Sequence, residues 1–219
     1  DQKTWGYHHS PKLLATSVVF ILAMGLWTNY FNELADLPNN MQEAFEMIMR
    51  NPLGIIAVVI MAPIVEELLF RGAIQGHLLR KWKHPAGAIV VSSLIFGIVH
   101  GNWVQAPFAF VTGLALGWIY YRTGSLLPGI LMHFVNNSAA VASFLLADDP
   151  NATMVSTYGQ TGAALMAAGG MALTIICVLF IQKKLVPQPA VWHQPAQAET
   201  IEIENNTLSS QTHSHNENI

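Results

Sequence analysis

Charged residues are scarce in this sequence. Only 11% of its 219 residues are Asp, Glu, Lys or Arg, against 52% that are hydrophobic, whereas soluble domains carry about a quarter charged residues. The mean hydropathy of +0.38 agrees with this deficit. Because a soluble protein of this size needs a charged surface to stay dispersed, the composition indicates an integral membrane protein. The net charge of −3 and the lack of a basic stripe argue against a nucleic-acid partner.

Cysteine is nearly absent as well. Cys177 stands alone in the sequence, which excludes an internal disulfide framework and a cysteine-based zinc knuckle. We expect it to be a small apolar residue within a helix. The sequence also lacks HExxH, the helical zinc signature with two histidines.

Six apolar stretches are long enough, or nearly so, to cross a bilayer core of about 30 Å as helices. They lie at residues 13–31, 53–79, 86–101, 103–121, 125–147 and 161–182. Only a tight turn at Gly101 and Asn102 separates the third stretch from the fourth, so these two should form a hairpin. The predicted fold class is therefore all-α, a polytopic membrane bundle of about six transmembrane helices.

The cations outside the spans fall almost entirely on one side of the predicted topology. Eight lie in the odd-numbered loops and termini: Lys3, Lys12, Arg80, Lys81, Lys83, Arg122, Lys183 and Lys184. The even-numbered loops hold only Arg50, beside acidic residues. Since cytoplasmic loops are enriched in Lys and Arg, this pattern predicts that both termini are cytoplasmic. Residues 187–219, rich in proline and polar side chains, are expected to be a disordered tail.

Three charges interrupt the second span, in the stretch EELLFR at Glu66 to Arg71. A charge at mid-bilayer costs at least about 2.5–3.5 kcal/mol, so each needs a partner. Glu67 and Arg71 are four residues apart, which places them on one helix face as a charge-assisted pair. Glu66 points about 100° away and has no local cation, so it requires a metal or a polar cavity. Pro63 removes a backbone donor and should kink this helix, exposing carbonyl groups nearby.

Two other spans offer complementary groups at similar depth. FGIVH places His100 one turn after Phe96, and HFVNN places His133 one turn before Asn137. At about 1.5 Å per residue, these groups and Glu66 lie roughly 12–24 Å from the cytoplasmic ends. Three helices are thus expected to converge on one polar cavity. A glutamate with a histidine can deprotonate a water, and a histidine with an amide can stabilise an oxyanion, so the set suits hydrolysis of an acyl bond.

EELLFR, FGIVH and HFVNN fit the patterns EExxxR, FxxxH and HxxxN in that order. The sequence thereby resembles the CPBP family of intramembrane proteases, which includes CAAX prenyl endopeptidases and bacteriocin-processing or immunity proteins and is also called the abortive-infection family. The resemblance covers residues 52–147. Characterised members commonly have more than six spans, so this chain, which begins at Asp1, is expected to be part of a longer one.

The resemblance implies a role for each motif residue. Glu66 and His100 would activate the attacking water, and His133 with Asn137 would stabilise the oxyanion. Glu67 and Arg71 would hold the second span in place, with Glu67 touching the site. Phe96 would pack beside the cavity.

A divalent metal is the second implication. Family members are named metalloproteases, so Glu66, His100 and His133 would hold an ion, zinc in the first instance. A glutamate mechanism without metal is the alternative. Glu/His/His is an acceptable zinc ligand set with an open fourth position.

The sequence therefore predicts five segments. They are an N-terminal cytoplasmic segment (1–12), a first transmembrane helix with an acidic outer loop (13–51), a protease core of four spans (52–147), an outer loop with the last span (148–186) and the tail (187–219). We expect an endopeptidase of the bacterial inner membrane, acting near the C-terminus of a prenylated or bacteriocin-like peptide or lipidated protein in the bilayer.

Two other functions stay open. One is a membrane scaffold or bacteriocin self-immunity protein without proteolysis, although a scaffold has no need of an unpaired mid-membrane glutamate. The other is a transporter or proton relay, since intramembrane Glu and His also mark ion paths. A transporter should show two similar halves with broken helices, and the sequence has no such symmetry.

Overall fold

The computed structural model describes residues 10–82, 84–146, 152–185 and 192. Within these ranges every regular element is a helix, which confirms the helical bundle. In chain order they are α1 (Pro11–Ala35), α2 (Gln42–Met49), α3 (Pro52–Lys81), α4 (Pro85–Val99), α5 (Gln105–Thr123), α6 (Leu127–Leu146) and α7 (Met154–Leu185). Of the predicted tail only Trp192 is described, so the prediction of disorder lies outside the described residues.

Four helices, α1, α3, α6 and α7, are long and apolar enough to cross a membrane. Large apolar side chains such as Leu145, Leu165 and Ile176 are more than half exposed on their outer faces, as lipid-facing positions are. The structure thus has the character of a membrane helix bundle. The orientation of the termini stays a prediction.

Helices α4 and α5 are the predicted hairpin and do not meet that length and composition standard. Helix α4 has 15 residues and α5 has 19. Small and polar residues of α5, including Thr112, Gly113 and Gly117, are buried. These residues lower the mean hydropathy of α5. They are tolerated because α5 packs against other helices on several sides and has little surface left for lipid.

Helix α2 lies in the segment predicted to be an acidic outer loop. It has eight residues, far fewer than the roughly 20 that a membrane span needs, so the pattern of apolar spans did not predict it. Met49 is buried, whereas Met47 on the opposite face is 73% exposed. This helix matters because Phe45 projects from it towards the predicted site.

Helix α3 changes its hydrogen-bond register twice. It is π-helical over Ala57–Met61 and over Glu67–Gln75. At the end of the first π segment, the Ala62 N–H bonds to the Ala57 carbonyl, five residues earlier. The same register would pair residue 63 with the Val58 carbonyl, but Pro63 has no N–H to donate. The predicted effect of Pro63 therefore appears as a carbonyl of α3 that is free to bind another side chain.

Helix α3 is held to α5 by two side-chain bonds to backbone. Arg71 Nη2 donates to the Gly113 carbonyl at 3.2 Å, and Gln75 Nε2 donates to the Gly117 carbonyl at 2.7 Å. A Cβ at Gly117 would lie 2.6 Å from Gln75 Oε1, and one at Gly113 would lie 3.0 Å from the Cβ of Ser93 in α4. The two glycines therefore allow the close packing that fixes α3 against the hairpin.

Helices α1 and α7 pack along each other and, through α1, against α6. Cys177 is buried in their core beside Leu13, Phe20 and Ile181. This confirms the interpretation of Cys177 as a small apolar residue.

Candidate active site

A cavity of about 280 Å³ lies among α3, α4, α5 and α6. Five of the residues singled out in the sequence line it: Glu66, Phe96, His100, His133 and Asn137. They come from three helices that are far apart in sequence. The predicted convergence of three helices on one cavity therefore agrees with the structure, although apolar side chains form most of the cavity wall.

Glu66 meets His133 in this cavity. The distance between Glu66 Oε2 and His133 Nε2 is 3.7 Å, and the Glu66 side chain is 30% exposed. Oε2 has no hydrogen-bond partner among the described residues. The family resemblance implies His100 as the histidine that works with Glu66; within the described ranges it is His133 that lies at ion-pairing distance. Sequence spacing shows which residues share a face of α4 or α6, but not the direction in which that face points. Packing sets that direction, so it also decides which histidine lies nearer to Glu66.

Glu67 orients His133 from the other side of the imidazole ring. Its Oε1 accepts from Arg71 Nη1 at 2.9 Å and from His133 Nδ1 at 3.1 Å. Glu67 and Arg71 are both almost completely buried, so the predicted i, i+4 ion pair is present. With Nδ1–H donated to this carboxylate, Nε2 of His133 is left facing Glu66.

The cluster combines carboxylates, a guanidinium and an imidazole. Glu67 and Arg71 form a buried ion pair, and Glu66 adds a second carboxylate beside the imidazole of His133. A carboxylate next to an imidazole is a common pair in general acid–base chemistry.

Arg71 has two further contacts that fix its position. Its guanidinium carbon lies 4.4 Å from the ring centroid of Phe96, a cation–π contact, and its Nη2 bonds to α5. The Phe96 ring in turn packs edge-on against His133, with 5.7 Å between centroids. Phe96 thus separates the buried ion pair from the cavity, beside which it was expected to pack.

His100 is held by its own helix. Its Nδ1 donates to the Phe96 carbonyl at 2.7 Å, and its ring packs against the Phe96 ring with 4.8 Å between centroids. Since a carbonyl oxygen can only accept, the neutral ring has Nε2 available as an acceptor. His100 is a second candidate base at the cavity wall.

Asn137 binds the carbonyl that Pro63 leaves without a donor. Its Nδ2 donates to the Val58 carbonyl at 2.9 Å, and its Oδ1 accepts from Asn136 at 3.3 Å. An amide nitrogen carries two hydrogens, so one remains for another acceptor. Asn136 adjoins Asn137 and also lines the cavity, but it was not among the predicted site residues.

Other lining residues were missed as well. Phe45 reaches the cavity from α2 and packs edge-on against Phe144 of α6, with 5.6 Å between centroids. Helix α5 contributes Gln105, Phe108 and Thr112. Their spacing places them near one helix face, but many apolar helices show that spacing, and only the packing shows which face borders the cavity.

The three predicted metal ligands, Glu66, His100 and His133, all line the cavity. Glu66 and His133 bring a carboxylate oxygen and an imidazole nitrogen, both possible metal ligands, close together. Among the described residues, however, no three His, Cys, Asp or Glu side chains are grouped so that they could hold one ion. The described donors therefore do not fit a three-ligand centre, and zinc stays a prediction.

With the site in place, comparison with known proteins finds a family match over part of the chain. Residues 49–139 match the family model for the Rce1-like group, described as Type II CAAX prenyl endopeptidase Rce1-like. This segment contains all six predicted site residues. The family resemblance indicated by the three motifs is thereby confirmed for this segment.

Two curated bacterial relatives each align with about half of the chain. The "Putative membrane peptidase YdiL" of Bacillus subtilis (strain 168) is 33% identical over 102 residues, which are 47% of this chain and 41% of the relative. The "Membrane-embedded CAAX protease MroQ" of Staphylococcus aureus (strain USA300) is 30% identical over 112 residues, 49% of this chain and 45% of the relative. The chain thus matches less than half the length of either relative. No solved structure gives a significant match.

Proposed function

We propose that this protein is an intramembrane endopeptidase that hydrolyses a peptide bond in a membrane-associated peptide. The observation that carries the proposal is the meeting of Glu66 and His133 at 3.7 Å in a cavity between apolar helices. The match to a family of CAAX prenyl endopeptidases supports it. A carboxylate with an unpaired oxygen is costly at this depth, and general-base catalysis gives it a use.

In the proposed reaction, Glu66 accepts a proton from a water molecule in the cavity, and the water oxygen attacks the carbonyl carbon of the peptide. The carbonyl becomes a negatively charged oxygen. As the C–N bond breaks, the proton passes from Glu66 to the leaving nitrogen, which gives a carboxylic acid and an amine. His100 would help to position the water from the other wall.

The oxyanion would be stabilised from α6. Asn137 has one amide hydrogen left, and Nε2 of His133, one turn away on the same helix, would add a second N–H when it carries a proton. Glu67 holds the ring of His133 in place, as carboxylates do for catalytic histidines. Glu67 and Arg71 are therefore proposed to act on position rather than on the substrate.

The test is cleavage by purified protein in liposomes of quenched-fluorescent apolar peptides. Glu66→Gln and His100→Ala should each reduce the rate by roughly 100-fold or more, because general acid–base groups contribute at least that much. Glu43→Gln and His77→Ala, both exposed and outside the cavity, are the matched controls and should keep the native rate. If the Glu66 and His100 variants also cut at the native rate, the proposal is wrong.

The finer substrate choice is tested in the same assay. We propose cleavage near the C-terminus of a prenylated or bacteriocin-like peptide in the bacterial inner membrane. Peptides with and without a prenyl group, and with the fluorophore pair near either end, separate these possibilities. Equal rates for prenylated and plain peptides would remove the prenyl preference and leave the hydrolysis intact.

Metal content is measured separately. If zinc is part of the site, purified protein should hold about one equivalent, and Glu66→Gln and His133→Ala should lose it. Native activity in protein free of metal would support the glutamate mechanism.

A further inference from the structure

Thr112 borders the active-site cavity from α5, a helix that carries none of the three motifs. Its side chain lines the cavity and the residue is 2% exposed. Its hydroxyl oxygen has no hydrogen-bond partner in the described ranges of the chain. A buried hydroxyl without a partner destabilises the folded protein. Its presence beside the cavity therefore indicates a role in binding a ligand.

Other hydroxyl groups in the helices of this protein do have a hydrogen-bond partner. Thr28, Ser93 and Thr123 each donate to the carbonyl four residues earlier, at 2.7–2.8 Å. That is the usual bond for Ser and Thr inside helices. Thr112 makes no such bond to the carbonyl of Phe108, although α5 offers it the same acceptor. Its hydroxyl is therefore a buried polar group without a partner in a residue that lines the cavity.

A peptide in this cavity would need such a group. Hydrolysis requires the backbone to unwind, and its N–H and C=O groups then lack partners in a site shielded from water. The proposed reacting side chains come from α3, α4 and α6, and α5 forms most of the remaining wall, together with Phe45 of α2. Phe108 and Ala109 on that wall are apolar, and the described residues that line the cavity include no Lys or Arg. The wall thus suits an uncharged peptide segment.

We propose that the Thr112 hydroxyl hydrogen-bonds to the backbone of the substrate peptide beside the bond that is cut. Thr112 is then a substrate-binding residue, and the substrate is an extended, uncharged peptide segment. This inference rests on the proposed peptidase function.

The test compares Thr112→Val, which keeps the side-chain shape, with Thr112→Ser, which keeps the hydroxyl. For a quenched-fluorescent peptide of alanine, leucine and valine in liposomes, Thr112→Val should raise KM roughly 3- to 10-fold, the range that one neutral hydrogen bond provides. The value of kcat should change much less, since binding in the ground state and transition state falls together. Thr112→Ser should recover most of the native KM.

The control variant is Ser17→Ala. Ser17 also has a buried hydroxyl without a partner among the described residues, but it lies in α1 and does not line the cavity. Neither Ser17→Ala nor Thr112→Val should lower Tm, because each removes an unsatisfied polar group. A Tm loss in Thr112→Val together with an unchanged KM would mean that Thr112 is structural, and would overturn the inference.

A binding experiment separates this inference from the proposed function. In the Glu66→Gln background, the Kd of the same peptide should also rise roughly 3- to 10-fold on Thr112→Val, by the same bond. If the native protein cleaves nothing but binding still depends on Thr112, hydrolysis fails and the binding role stands. If Kd is unchanged, or neither protein binds the peptide, the inference is wrong.

Discussion

A single carboxylate oxygen organises the active site at the residue scale. Glu67 Oε1 is shared by Arg71 and His133, at 2.9 and 3.1 Å. The imidazole reaches Glu66 with its other nitrogen. Glu67 therefore joins a buried ion pair, which fixes α3 on α5, to the histidine that meets the proposed base. Stability and the proposed catalysis therefore depend on the same side chain.

Breaking the ion pair should separate these two roles. Arg71→Met leaves Glu67 as a buried charge without its cation, and we expect unfolding to become easier by about 3–5 kcal/mol. The double variant Glu67→Leu with Arg71→Met should recover most of that stability, because no lone charge remains. It should still be poorly active, since His133 loses the acceptor that orients it. Thermal unfolding in detergent and peptide cleavage measure the two effects.

The exposed pair Arg50–Glu46 serves as the control. Its atoms are 3.8 Å apart and the Arg50 side chain is 80% exposed, so Arg50→Met should leave Tm unchanged. A recovered activity in the double variant would contradict the positioning role of Glu67. An unchanged Tm in Arg71→Met would contradict the buried pair itself.

At the scale of elements, α3 shows how a helix can supply an acceptor to its neighbour. The π register at Ala57–Met61 and the missing N–H of Pro63 leave the Val58 carbonyl open, and Asn137 of α6 binds it. This bond sets where the amide of Asn137 lies relative to His133. The irregularity of α3 is thus part of the site, as π segments in helices often are.

Pro63→Ala should therefore reduce cleavage without unfolding the protein. The new N–H competes with Asn137 for the Val58 carbonyl. The amide then loses a fixed position, so kcat should fall by up to about tenfold, the value of one neutral hydrogen bond. Because alanine is the better helix residue, Tm should stay or rise. Pro52→Ala is the control and should keep the native kcat, since Pro52 lies at the first turn of α3, where proline is tolerated. A native kcat in Pro63→Ala would show that the free Val58 carbonyl does not matter for cleavage.

At the scale of the whole molecule, the bundle encloses polar chemistry within apolar helices. The flanking helices α1 and α7 add apolar surface, and the proposed catalytic groups lie within α3 to α6. Residues 49–139, which carry the family match, include most of that set of helices. The proposed catalytic residues thus occupy one compact part of the bundle.

The sequence predicted the parts of this unit that depend on local geometry. The pair of Glu67 and Arg71 and the shared face of His133 and Asn137 follow from helical spacing alone. The apolar runs located the long helices for the same reason. What spacing leaves undetermined is the rotation of one helix against another, so the partner of Glu66 and the place of Thr112 became visible only in the packed structure. Helix α2 was missed because eight residues carry too little periodic signal.

The most direct test of the central claim is a double-mutant cycle on Glu66 and His133. The claim is that the two side chains act together on one reaction in a single cavity, Glu66 on the attacking water and His133 on the oxyanion. Glu66→Gln and His133→Gln should each lower kcat/KM by roughly 100- to 10,000-fold, and the double variant should be little worse than either, because residues that act as a unit are not additive. Multiplied losses in the double variant, or a native kcat/KM in either single variant, would contradict the account.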